Sequence, residues 1–120
     1  MKRAYVGWLL ASLLMIAGCG TDGGDAGGAG GSNVEIEAGD LYFQPTTLSA
    51  SAGGVRVLLD NVGAAEHDFV IEELGDLEVV FANPGETSTG TVDLEPGTCT
   101  FYCSIPGHRD AGMEGTLEVQ

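Results

Sequence analysis

The last eighteen residues, Cys103 to Gln120, most constrain what this chain can fold into. Thr98-Cys-Thr-Phe-Tyr-Cys103 is rich in strand-forming residues and leads straight into a loop. That loop carries a thiol, an imidazole and a thioether in the pattern C-x4-H-x4-M, as Cys103, His108 and Met113. Thr116 to Val119 then reads as a closing strand. Three soft or borderline donors are thus confined to one short loop between two strands, and a β-scaffold has to bring it any further donor.

The rest of the folded part agrees. Val34-Glu-Ile36-Glu-Ala38 alternates apolar and polar residues, the sign of a half-buried strand. Leu41 to Phe43, Leu48 to Ala50, Val55 to Leu59, His67 to Ile71 and Glu86 to Leu94 follow as short strand-like runs, the last weakened by Gly90. Turn signals separate them at Pro45, Gly53-Gly54, Asp60-Asn61, Gly63 and Glu95-Pro96-Gly97. Residues 72–85 are less regular, with Gly75, Asn83, Pro84 and Gly85 as breakers. Helical periodicity never exceeds a turn or two. Many short strands at this spacing predict an all-β sandwich or barrel.

Ahead of this domain lie two segments of another kind. Lys2 and Arg3 precede an apolar run from Ala4 to Ala17. At roughly 14 residues this run is short of the ~20 that a membrane helix needs, and it fits the apolar region of an export signal. It ends in Ile16-Ala17-Gly18-Cys19, which resembles the bacterial lipoprotein cleavage box, with Cys19 as the lipid acceptor. Seven of the twelve residues from Gly20 to Gly31 are Gly, a composition expected to stay disordered. The expected division is therefore a lipoprotein signal peptide at 1–18, lipidated Cys19 and a flexible Gly-rich linker at 19–33, and a folded domain at 34–120. Export places the protein on the periplasmic or extracellular side, held to the membrane by its lipid.

Charge sets the class of partner. Four basic residues face eighteen acidic ones, a net charge of −14. Loss of Lys2 and Arg3 with the signal leaves two basic residues, Arg56 and Arg109, and a charge of −16. Such a surface excludes nucleic acid and would steer the protein towards a basic partner. Adaptation to high salt accounts for it equally well.

The donors can be counted. Strand alternation puts Cys99, Phe101 and Cys103 on one side and Thr98, Thr100 and Tyr102 on the other, so the first set is expected to face the core. Four strand residues hold the two thiols ~13 Å apart, which excludes a disulfide between them. Cys99 then reads as a buried small hydrophobe. What remains beyond the signal is His67, Cys103, His108 and Met113. A thiolate, two imidazoles and a thioether suit a soft, redox-active metal, and copper is the first candidate. A binuclear copper centre would need Cys99, which the strand holds away. A copper enzyme would need more imidazoles than the two present, so no small-molecule substrate is expected. Zinc is disfavoured by the thioether.

Ala65-Glu-His67-Asp-Phe-Val-Ile71 and the whole run from Thr98 to Gly115 resemble the cupredoxins, the plastocyanin/azurin superfamily of small blue copper proteins. The resemblance extends over nearly all of residues 34–120. Its x4, x4 spacing is similar to the auracyanin and rusticyanin type of loop, and the acidic, lipobox-bearing chain resembles halocyanins. The resemblance implies a Greek-key β-sandwich, one type 1 copper ion and one-electron transfer between membrane-associated redox partners rather than catalysis. It implies His67, Cys103 and His108 as equatorial ligands and Met113 as the axial one. An exported copper carrier or storage protein shares the same ligands and stays as the alternative. One departure is Cys99, where relatives more often carry an aromatic residue.

Around the ligands, Asn61 and Asp68 are candidates to hydrogen-bond across to the Cys103 loop, with solvent as the other option for Asp68. His108, in a loop with Pro106 and Gly107, is the candidate electron exit. Ile105, Pro106 and Ala111 would either form an apolar docking patch around it or simply pack the loop.

Overall fold

The computed structural model describes residues 31–120. The expected signal peptide, Cys19 and the linker up to residue 30 lie outside the described residues. The described residues form nine strands: β1 (Gly31–Gly39), β2 (Tyr42–Gln44), β3 (Thr47–Ala50), β4 (Gly53–Asn61), β5 (His67–Ile71), β6 (Leu77–Ala82), β7 (Thr87–Leu94), β8 (Gly97–Tyr102) and β9 (Glu114–Val119). One 3₁₀ turn, Glu72–Leu74, links β5 to β6.

The strands make two mixed sheets, ordered β2-β1-β4-β7 and β3-β9-β8-β5-β6. Strands β1 and β4 pair in parallel, as do β3 and β9. All other pairs are antiparallel. The expected all-β sandwich is therefore present. The alternating residues Val34, Ile36 and Ala38 of β1 and Val55, Val57 and Leu59 of β4 are buried against Phe69, Phe101 and Leu117 of the opposite sheet. Burying apolar area of this kind stabilises by roughly 25 cal/mol per Å².

Two elements differ from the sequence expectation. Strand β1 begins at Gly31, taking in residues 31–33 that composition assigned to the linker. Gly31, Ser32 and Asn33 have no apolar alternation to announce them, and they join the sheet by pairing with Gly54, Val55 and Arg56. Strand β6 lies within the stretch read as irregular. Its register with β5 pairs Phe69 with Val80 and Val70 with Glu78, so Val79 is an extra residue, a β-bulge. The bulge breaks the alternation by which a strand is recognised.

Gly90 of β7 has a structural reason at the same place. A Cβ built there would lie 2.0 Å from the carbonyl oxygen of bulged Val79. The missing side chain lets β7 of one sheet close onto β6 of the other.

Three aromatic rings pin the strands beneath the ligand loop. Phe69 of β5 and Phe101 of β8 stack with centroids 4.8 Å apart, and Phe43 of β2 meets Phe101 edge-on at 5.5 Å. Phe69 follows His67 by two positions and Phe101 precedes Cys103 by two. The stack thus sets the spacing of the two strands that deliver those residues.

Candidate metal centre

His67 opens β5, and Cys103 is the first residue after β8. Strand alternation carries both into the interior, where each is fully buried. His108 comes from the loop between β8 and β9 and is half-buried. His67 Nδ1 lies 3.8 Å from Cys103 Sγ, and His108 Nδ1 lies 3.5 Å from it. All three donor atoms fall within 4.8 Å of one another. Donors that far apart suit a single small ion with bonds of about 2.0–2.3 Å. Among the described residues, no other group of His, Cys, Asp or Glu side chains is gathered in this way.

Met113 immediately precedes β9, is fully buried and belongs to the same core cluster as Cys103. Backbone hydrogen bonds tie these loop residues together. The Cys103 N–H donates to the Met113 carbonyl at 3.1 Å, and the Met113 N–H donates to the His108 carbonyl at 3.2 Å. The His108 N–H in turn donates to Ile105 at 3.0 Å. A loop cross-linked at each donor-bearing residue has little freedom to rearrange.

Asp68, next to His67, is 1% exposed, so solvent is not its environment. Its carboxylate accepts the Ser104 N–H at 2.6 Å and also the Ser104 hydroxyl. The residues directly after His67 and Cys103 are thereby joined, as the sequence suggested. Asp68 also pushes the Glu78 carboxyl up, first by a side-chain hydrogen bond and then with help from burial. Asn61 is 1% exposed but does not reach the Cys103 loop. Its amide donates to the carbonyls of Ala65 at 2.8 Å and Ala82 at 3.0 Å, and its oxygen accepts the Gly63 N–H at 2.9 Å. It shapes the connection that enters β5, because it sits at the end of β4 where that connection begins.

The outer end of the loop is clamped by Arg109. Its guanidinium pairs with Glu72 at 3.0 Å and Glu114 at 3.1 Å and lies 4.1 Å over the Tyr102 ring. The Tyr102 hydroxyl donates to Asp76 at 2.7 Å, and this bond pushes its pKa up to about 12. Burial pushes the Cys103 thiol up. A metal must therefore displace its proton on binding.

Ile105 is half-buried, while Pro106 and Ala111 are exposed beside His108. Cys99 is 1% exposed and on the core side with Phe101, and Cys103 is a free thiol. One residue escaped sequence reasoning altogether. Asp40, in the β1–β2 turn, places Oδ1 3.2 Å from His67 Nε2.

Comparison with known proteins agrees with this geometry. The Cupredoxin-like domain family matches residues 8–119. Plastocyanin of Lactuca sativa is 33% identical over 94 residues, spanning 68% of this chain and 90% of the plastocyanin. The copper-resistant cuproprotein CopI of Rubrivivax gelatinosus is 28% identical over 117 residues, spanning 81% of this chain and 71% of CopI. Among solved structures, auracyanin B superposes with a TM-score of 0.65 at 26% identity, covering 74% of this chain and 88% of auracyanin B. With two imidazoles, a thiolate and a buried thioether in one loop-and-strand cluster typical of a single type 1 copper, the chain belongs to the cupredoxin family.

Proposed function

We propose that this protein carries single electrons between membrane-associated redox partners, using one copper ion held by His67, Cys103, His108 and Met113. The observation that carries the reading is the convergence of His67 Nδ1, His108 Nδ1 and Cys103 Sγ within 4.8 Å on a preformed scaffold. Bound there, copper supplies a one-electron couple, stabilised as copper(I) by sulfur and as copper(II) by nitrogen.

The chain's own residues do the rest. Cys103, His108 and Met113 are held by the mutual backbone hydrogen bonds of their loop. Asp68 locks the His67 strand to the Cys103 loop through Ser104. Outer-shell bonds of this kind orient ligands. A donor set fixed this firmly need move little when charge changes, which favours fast transfer. His108 is the one member of the set that reaches solvent, so its ring edge is the exit for the electron. Pro106 and Ala111 beside it, with half-buried Ile105, offer an apolar rim for docking. The surplus of carboxylates favours a partner that is basic where it docks. Catalysis is no part of this reading.

The N-terminal features complete it. Residues 1–18 direct export, Cys19 takes lipid, and the Gly-rich segment after it tethers the domain on the periplasmic or extracellular side. Among the described residues, no helix is long and apolar enough to cross a membrane. In this reading the anchor is the lipid on Cys19, and Cys19→Ala is expected to release the protein into the soluble fraction. Continued membrane attachment would contradict the lipid anchor.

A second reading, an exported copper carrier or storage protein, is favoured by the similarity to the copper-resistant cuproprotein CopI. Anaerobic reduction and reoxidation of the copper-loaded protein separates the two. An electron carrier cycles reversibly with its copper retained. A carrier of copper loses the ion to a competing chelator on reduction and does not cycle.

A further inference from the structure

We infer that Asp40 is a positioning residue for His67: its carboxylate fixes which imidazole nitrogen faces Cys103 and, by its charge, lowers the reduction potential of the bound ion. The inference rests on the reading of His67 as a copper ligand through Nδ1.

The geometry is specific. Asp40 follows β1 and lies 27 residues before His67 in sequence, yet its Oδ1 approaches His67 Nε2 at 3.2 Å. A carboxylate only accepts, so Nε2 must carry the proton. Nδ1 is then left as a lone pair, 3.8 Å from Cys103 Sγ, on the side where a metal would sit. A carboxylate behind a ligating imidazole both fixes the tautomer and raises the ligand's basicity.

The carboxylate is itself held. Its Oδ2 accepts the Ala64 N–H at 2.9 Å, and its Oδ1 accepts the Ala65 N–H at 3.1 Å. These two backbone bonds fix the carboxylate in place beside the imidazole. Asn61 orders the same connection by binding the Gly63 N–H and the Ala65 carbonyl. Gly63 provides the space, since a Cβ there would lie 2.2 Å from Asp40 Oδ1 and 2.9 Å from its Cγ. Two separate features of the 61–65 connection, donated N–H groups and an absent side chain, thus converge on one carboxylate. That carboxylate is 47% exposed, whereas His67 is fully buried. The negative charge therefore enters the centre from the surface, on the His67 side. An anion there favours the more positive metal state.

Two measurements test this. In metal-free protein, long-range ¹H–¹⁵N correlation should show His67 as a single Nε2–H tautomer, and Asp40→Ala should give a mixture of both tautomers. An unchanged His67 tautomer in Asp40→Ala would overturn the positioning role. In copper-loaded protein, Asp40→Asn removes the charge and keeps an acceptor. It should weaken binding of copper(II) relative to copper(I) on the order of tenfold, a rise in potential of about 59 mV for a one-electron couple. Gly63→Ala, whose Cβ would crowd Oδ1, the oxygen that meets His67, should shift the potential in the same direction. A potential unchanged in Asp40→Asn overturns the electrostatic role. Wild-type protein that takes up no copper refutes the copper reading itself. The tautomer measurement needs no metal and decides the part of Asp40 either way.

Discussion

Cys103 carries most of the chemistry, and its neighbours decide how well it is held. Asp68→Ala would leave the Ser104 N–H and hydroxyl without their acceptor and untie the His67 strand from the Cys103 loop. Loss of such an outer-shell partner is expected to cost about 10–100-fold in copper affinity, measured by competition with a chelator. Met113→Gln is expected to retain copper and lower its potential, because a harder donor stabilises copper(II). An unchanged potential would argue against an axial role for Met113. Tyr102 gives a pH signature. Its folded-state pKa of about 12 is above its ordinary value of 10.0. The stability it lends is therefore complete below about pH 10 and is lost as pH rises through about 12. Tyr102→Phe should remove that part of the alkaline decline in melting temperature. Ultraviolet titration should lose its latest-titrating tyrosine. At this scale the donor set was legible in the sequence, because soft donors are rare in the chain and three of them share one loop. Asp40 was not, since no local pattern marks a turn residue that meets its partner only through tertiary approach. Asn61 stands out by its proximity to the His67 strand, but its partners are Gly63 and Ala65 in the connection leading to His67 and Ala82 of β6.

Among the elements, the ligand loop and the bulged β6 strand show two kinds of constraint. The loop is stiffened by its own backbone bonds and by the Arg109 clamp. Strand β6 depends on a contact between sheets, where the Val79 carbonyl occupies the space that a side chain on residue 90 would need. Gly90→Ala should destabilise the fold by about 1–3 kcal/mol, as overpacking commonly does. Chemical denaturation would read it, and wild-type stability in that variant would contradict the close approach of the two sheets. The strands with clean alternation, β1 and β4, could be read from their residues. Strand β6 could not, because one extra residue shifts its apolar positions out of phase. Residues 31–33 were missed for a different reason: their pairing with β4 is purely backbone and needs no apolar side chain.

For the whole molecule, charge and anchoring set where and with what it reacts. A surplus of fourteen negative charges should make encounters sensitive to ionic strength. Reduced protein is expected to be oxidised faster by a cationic than by an anionic one-electron oxidant of matched driving force. That difference should largely vanish at ~1 M salt, where the Debye length falls to about 3 Å. Equal rates at low salt would leave high-salt adaptation as the account of the acidity. A single copper bound through the Cys103 thiolate can be read directly by optical titration of metal-free protein with copper(II). An intense thiolate-to-copper charge-transfer band should appear, saturate at one equivalent and be absent from Cys103→Ser. A colourless wild-type protein, or a band that survives the loss of the thiol, would contradict that mode of binding.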